Sequence, residues 1–344
     1  VLVDWLVLGL AATGSIALAS VGTRLALGYA RRRALIDEPG RRRSHVIPTP
    51  RGGGLGVVLA LLVVLAWVLS RGDLPMNQAL AFGIGMFAVA VIGWVDDHRP
   101  LSARVRLVVH VVAAMVFVSQ LPVSGDLGLL RWVVFGAQVL ALVTAINFWN
   151  FMDGIDGLVA TQTIWVGSCL AIVFAATGLG AWALLAIALA GASLGFLPFN
   201  FPRARIFLGD VGSGGIGFAV GGLLLQAQAT GAMSVWSAGL IVSALALDAT
   251  LTLLGRMLRG RRWYTAHREH LYQWLVRRGR GHPQVVLLYL AWNLILVLPL
   301  LWLSQTRPAW APMLSLAALL SGAVLWWQVK RSLLLRQARR GGAT

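Results

Sequence analysis

Three short segments put carboxylates where they can act on a charged ligand. Asp96-Asp97 follows an apolar run that ends at Val95. Asn147-Phe-Trp-Asn150-Phe-Met-Asp153-Gly-Ile-Asp156-Gly157 repeats a polar group every third residue between two apolar runs. Asp210 stands in Phe207-Leu-Gly209-Asp210-Val-Gly212-Ser213-Gly214, in a segment that opens with Asn200-Phe-Pro202-Arg-Ala-Arg205. Adjacent carboxylates repel each other unless a metal or an arginine sits between them, and Arg99, Arg104 and Arg106 follow the pair closely. A glycine and serine turn lets backbone N–H groups approach a phosphate or a metal. The chemistry such a set points to is the binding of phosphate or metal.

Plainer readings stand beside these. Asp96-Asp97 also reads as a solvated helix end, and the Asn147–Asp156 stretch as a polar turn with glycines for close packing. On one unbroken helix each three-residue step turns the chain by about 300°, so Asn147 and Asp156 would point opposite ways; a break near Gly154 lets all four polar groups converge. Helix packing around Gly217 and Gly221 accounts for the glycines near Asp210 but not for the acid. Thr49-Pro50-Arg51-Gly52-Gly53-Gly54 forms a cationic helix start suited to an anion or, through Gly52 and Gly56, a packing motif. His267-Arg268-Glu269-His270 lies in a long basic segment where a lone histidine pair reads as structural or solvated before it reads as a metal site. His110 reads as a helix-facing residue, and Asp248 as a partner for Arg256 two turns on.

The elements that must position these residues follow from composition. Of 344 residues, 58% are hydrophobic and 12% charged, and the mean hydropathy is +0.78, which excludes an ordinary water-soluble enzyme. A single cysteine, Cys169, excludes an internal disulfide and any multi-thiolate metal site. With about 20 apolar residues needed per crossing, the chain offers eleven spans, near 3–28, 52–70, 79–95, 105–121, 131–149, 157–177, 180–199, 212–230, 235–255, 284–304 and 309–329. The first resembles a signal peptide at Ala17-Leu18-Ala19, yet it opens with Asp4 rather than a basic region and is read as a retained helix. Assigning the connections to alternate sides puts 26 Lys or Arg on one side and Arg71, Arg131 and Arg307 on the other. The net charge of +17 is then chiefly a topology signal, with membrane lipid heads or polyphosphates as further partners of the arginine clusters and no nucleic acid.

The expectation is an all-α polytopic integral membrane protein of about eleven transmembrane helices. Its N-terminus lies outside, its C-terminus in the cytoplasm, and its site is built from cytoplasmic loops. Residues 1–344 form one domain, with 256–283 a basic cytoplasmic loop within it. An aspartate at a bilayer centre costs about 2.5–3.5 kcal/mol, so Asp96, Asp97, Asp153, Asp156 and Asp210 need an interface, cations, or both.

Taken together, His45 with TPRGGG, the DD pair, NFWNFMDGIDGL, PFNFPRARIFLGDVGS, Asp248 ahead of Arg256, and HREHLYQ followed by His282 resemble the polyprenyl-phosphate N-acetylhexosamine-1-phosphate transferases. The likeness runs along nearly the whole chain in the family's order. It implies a magnesium-dependent enzyme, with Mn2+ as a substitute, in the bacterial inner (cytoplasmic) membrane. Such an enzyme transfers a sugar 1-phosphate from a UDP-N-acetylhexosamine donor to an undecaprenyl phosphate acceptor, giving a lipid diphosphosugar and UMP; a homodimer is compatible with it. By the same resemblance Asp96 and Asp97 lie near the acceptor phosphate, Asn150, Asp153 and Asp156 on the nucleotide side, and Asp210, with Asp153, at the metal. Phe207 corresponds to a uracil-stacking aromatic and His270 to a loop histidine touching the donor diphosphate, with Arg268, Arg51, His45 and Asn147 as further substrate contacts.

Two departures matter. Where murein-precursor enzymes carry a histidine cluster, this chain reads His270-Leu-Tyr272-Gln273, similar to transferases that initiate O-antigen or related surface glycans. The acidic motif has two aspartates followed by His98, not three. Direct attack by the lipid phosphate is the favoured route, because a phosphomonoester with a second pKa near 6 is largely dianionic at pH 7; a covalent aspartyl phosphate is its rival. A polyprenyl-lipid or ion-coupled transporter is the alternative class, but it would place its acids near the membrane midplane.

Overall fold

Asp4 opens the first helix by accepting the Leu6 N–H at 2.9 Å, and the helix runs on to a last turn carrying Arg31 and Arg32. The structure is a computed structural model that describes residues 4–38, 47–122, 128–262 and 267–341. Its helices are α1 (Trp5–Arg32), α2 (Leu55–Ser70), α3 (Met76–His98), α4 (Ala103–Val118), α5 (Leu130–Met152), α6 (Leu158–Ala176), α7 (Gly180–Asn200), α8 (Gly209–Ala229), α9 (Val235–Ile241), α10 (Ser243–Met257), α11 (Leu271–Arg277), α12 (His282–Ala291), α13 (Leu298–Thr306) and α14 (Ala311–Gly341). A π-helical turn, Trp292–Val297, joins α12 to α13. Ile36–Asp37 and Thr49–Pro50 form a two-residue antiparallel ladder.

The chain is an all-α integral membrane protein, and each of the eleven expected spans falls on helix. Among the described residues, seven helical runs are long and apolar enough to cross a bilayer: α1, α3, α5, α6, α7, His282–Thr306 and Pro308–Leu335. The ninth expected span is broken, with α9 and α10 meeting at 87°, and would make an eighth crossing if the pair counts as one. α2 and α4 have 16 residues each, while the glycines and two glutamines of α8 dilute its hydropathy.

Contacts fall into two units, α1–α8 and α9–α14. In the first, α8 packs between α3 and α5, and α7 packs on α1 and α6. Every residue of α8 from Val211 to Ala227 is buried. Phe82, Phe117, Phe218 and Trp182 meet edge-on or tilted at 5.7–5.9 Å between centroids. Close approach depends on missing side chains: a Cβ on Gly54 would stand 2.2 Å from the Gly212 Cα. In the second unit α14 packs against α9, α10, α11 and α13.

Candidate functional site

Successive residues on a helix point about 100° apart, and the end of α3 uses this to send three side chains to three neighbours. His98 turns to α1, with Nε2 3.2 Å from the Tyr29 hydroxyl and Nδ1 2.8 Å from the Trp94 carbonyl. Asp96 accepts the Leu101 N–H at 2.6 Å and pairs with Arg106, in the first turns of α4, at 2.8 Å. Asp97, 3% exposed, meets the N-terminus of α8 and accepts the N–H groups of Asp210 at 3.1 Å and Val211 at 3.2 Å. A carboxylate there complements the helix dipole and satisfies two otherwise orphaned donors.

Asp210 occupies that first turn of α8, and its two oxygens face different elements. Oδ2 takes Arg106 Nη1 at 2.7 Å. Oδ1 takes the Asn150 amide of α5 at 3.0 Å, and the same amide donates to Ser213 Oγ at 3.0 Å. Asp96, Asp97, Asn150 and Asp210 are thus brought together, Asp96 through Arg106 and the others by direct bonds, although three segments supply them. Arg51 joins as well: its Nη2 donates to the Asp97 carbonyl, and its Nε lies 3.9 Å from Asp97 Oδ1.

α5 stops at Met152 and α6 starts at Leu158, so the expected break near Gly154 is present. Asp153 sits in that turn, where burial first and the charges of Asp210, Asp97 and Asp156 next push its carboxyl up to about 8. Asp156 accepts the Ala204 N–H at 3.0 Å. Asn200 ties the same turn down: it accepts the Gly157 N–H at 2.8 Å and donates to the Ile206 carbonyl at 3.1 Å. Phe207, half-buried, donates its N–H to the Pro50 carbonyl at 2.8 Å, while Gly53 and Gly54 donate to the Phe207 and Leu208 carbonyls at 2.9 and 2.8 Å. The backbone amides that the sequence offered to an anion at Gly53, Gly54 and Asp210 therefore serve the protein itself. Asn147 is not drawn into the cluster; its amide donates back to the Val143 carbonyl of its own helix at 2.7 Å. His45 lies outside the described residues.

The second unit holds His270 and Arg268. His270, 2% exposed, precedes α11 with Nδ1 4.0 Å from Asp248 Oδ1, and its ring stacks on Tyr272 at 5.8 Å. Burial pushes its imidazole below the ordinary value, against the pull of Asp248. Asp248 does not pair with Arg256 as expected. Its carboxylate instead accepts from Leu271 N (2.7 Å), Tyr289 OH (2.8 Å), Trp326 Nε1 (3.0 Å), Thr252 Oγ1 (3.2 Å) and Tyr272 N (3.3 Å). Arg256 pairs with Glu269, which Arg261 also reaches at 3.1 Å. The physical reason is reach: α11 brings two first-turn N–H groups to Asp248, and the loop brings a carboxylate to Arg256. The Arg268 carbonyl accepts from Arg277.

Among the described residues, no three His, Cys, Asp or Glu side chains close on one point as an all-protein metal cage would. Magnesium commonly takes one or two carboxylates and completes its shell with phosphate and water. Asp210 and Asp153 offer hard oxygens in a patch of like charge, a donor set that fits such an ion. Sequence reasoning named Arg106 beside the acidic pair and Ser213 in the Asp210 turn but assigned neither a place in the site.

Residues 79–228 match the sequence profile of glycosyl transferase family 4. The chain is 33% identical over 320 residues to a decaprenyl-phosphate N-acetylglucosaminephosphotransferase of Mycolicibacterium smegmatis, covering 80% of this chain and 77% of that protein. It is 28% identical over 262 residues to a probable undecaprenyl-phosphate N-acetylglucosaminyl 1-phosphate transferase of Bacillus subtilis, covering 73% and 72%. It is also 35% identical over 286 residues to a phospho-N-acetylmuramoyl-pentapeptide-transferase of Moorella thermoacetica, covering 76% and 86%.

Proposed function

Because the chain belongs to glycosyl transferase family 4 and is a multi-pass membrane polyprenyl-phosphate hexosamine-1-phosphate transferase, we propose that it takes a UDP-N-acetylhexosamine as donor and undecaprenyl phosphate as acceptor. Its product then starts a lipid-linked surface glycan of the O-antigen kind. The observation that carries this reading is the meeting of Asp96, Asp97, Asn150 and Asp210 from the ends of α3, α5 and α8, with Arg106 bridging Asp96 to Asp210.

Phosphoryl transfer asks a protein mainly for positioning and neutralisation of charge. Asp210 and Asp153 would hold a magnesium ion, which when bound would supply part of that neutralisation. Asn150 fixes the orientation of Asp210, and Asp97 fixes the first turn of α8 on which Asp210 stands. The acceptor phosphate, already largely dianionic at pH 7, attacks the sugar-side phosphorus; its oxygen forms the new P–O bond as the bond to the UMP oxygen breaks. No strong base is required. Arg51 and Phe207 are further donor contacts in this reading.

Identity alone does not separate the hexosamine branch from the muramoyl-pentapeptide branch, since relatives of both kinds match at 28–35%. His270-Leu-Tyr272-Gln273, in place of a histidine cluster, favours the former. The asymmetry of 26 basic residues against 3 supports eleven crossings of the bacterial inner membrane, an outer N-terminus, an inner C-terminus and a site open to the cytoplasm.

The test is purified protein in detergent with undecaprenyl phosphate, Mg2+ and a panel of UDP-N-acetylhexosamines and UDP-muramoyl-pentapeptide, following UMP release and lipid product. Turnover with a hexosamine donor and none with the muramoyl donor is expected; no turnover with any hexosamine overturns the reading. Asp97→Asn and Asp210→Asn should each lower kcat by about 10²-fold, the scale of losing one electrostatic contact to a transition state.

A further inference from the structure

A single nitrogen, Arg106 Nη1, lies 2.8 Å from Asp96 Oδ2 and 2.7 Å from Asp210 Oδ2. The two carboxylates come from α3 and α8, and Arg106 bridges them. Their surroundings differ. Asp96 keeps its other oxygen on the Leu101 N–H at 2.6 Å, a bond within the α3–α4 turn that holds it to the base of the arginine. Among the described residues, Asp210 has only the neutral Asn150 amide on its other oxygen, at 3.0 Å. Its Oδ2 is therefore the oxygen whose charge is neutralised by a removable partner. The Arg106 side chain is 31% exposed, so its head can withdraw from Asp210 and still pair with Asp96.

We propose that Arg106 is an internal counter-ion that competes with the divalent cation for Asp210, and so sets how tightly the cation is held before substrate arrives. The inference rests on the proposed metal role of Asp210. Two positive charges cannot share one carboxylate oxygen without repelling each other, and the linkage is reciprocal: whatever weakens the Arg106–Asp210 pair tightens the cation, and the reverse. Arg106 is a positioning residue in this account. A residue serving only to clamp α4 against α8 would lower stability when removed but would give no gain in metal affinity.

The test measures Mn2+ binding by electron paramagnetic resonance, with thermal melting in parallel, on purified wild type, Arg106→Gln and Arg106→Lys without substrate. Arg106→Gln should bind Mn2+ about tenfold tighter, within the usual range for coupled sites. It should also melt lower than wild type without metal and recover with it; Arg106→Lys should behave as wild type. Adding Asp210→Asn to Arg106→Gln should abolish the gain. Equal or weaker binding by Arg106→Gln overturns the inference while leaving the metal assignment in place, as does a gain that survives Asp210→Asn. If neither wild type nor variant binds Mn2+, the metal assignment falls and takes the inference with it. Arg106→Met keeps much of the stem's packing and serves the same comparison should Arg106→Gln not fold.

Discussion

Glu269 is surrounded by guanidinium groups of Arg256, Arg261 and Arg259. Burial alone would raise its carboxyl, but Arg256 and Arg261 outweigh burial and hold it below the ordinary value. A carboxylate with a depressed folded-state pKa contributes stability that is present above its unfolded pKa and lost as pH falls through the folded one. The melting temperature should therefore drop as the medium is taken below the ordinary glutamate range, and Glu269→Gln should flatten that acid limb while lowering stability at neutral pH. Melting in detergent across pH 3–7, an interval spanning the usual glutamate value, checks both. An unchanged acid limb in the variant rules out this role. Of such partnerships the sequence revealed one side only. The Asp motifs were legible because an acid beside an apolar span demands a reason; Arg106 was not, because its partner Asp210 lies 104 positions away. Asp248 misled for a related cause: Arg256 is near in sequence, but the donors that reach the acid come from α11, α12 and α14.

At the scale of elements, the membrane's demand for length and apolarity makes helices easy to read, and all eleven windows landed on helix. Hydropathy does not record direction, so the 87° turn between α9 and α10 left no trace; the pair together passes as one apolar run across Val242. Contacts between backbones were legible in part: the sequence pointed to close packing at Gly56 and Gly217 but not to the pairing of Gly54 with Gly212. Gly54 and Gly212 are such a contact, one at the start of α2 and the other in the first turns of α8. Gly54→Ala would force its Cβ to 2.2 Å from the Gly212 Cα, and overpacking of that kind costs about 1–3 kcal/mol. The expected outcome is a lower melting temperature together with activity loss beyond the loss of folded protein, because α8 carries Asp210. Gly14→Ala, with nothing within 4 Å of the added carbon, should leave both unchanged. Equal behaviour of the two variants counts against the packing account.

At the scale of the whole molecule, the proposed orientation can be read with thiol labelling, since the single cysteine, Cys169, is buried. In a Cys169→Ala background, Arg71→Cys should react with an impermeant maleimide on intact cells, whereas Arg280→Cys should react only after the cells are opened. Both positions are exposed in the structure. The reverse pattern would invert the assignment and move the chemistry to the other face. The same distribution of charge bears on how the site grips its donor. Asp97 already takes the amides of Asp210 and Val211, and the Phe207 and Leu208 carbonyls take those of Gly53 and Gly54. Main-chain donors at these helix starts are spoken for, so in this reading an incoming diphosphate is met by cationic side chains and the proposed metal rather than by these amides. Grip of that kind fades as ionic strength shortens the Debye length, and KM for the nucleotide sugar should rise with added salt while the greasy acceptor is held as before.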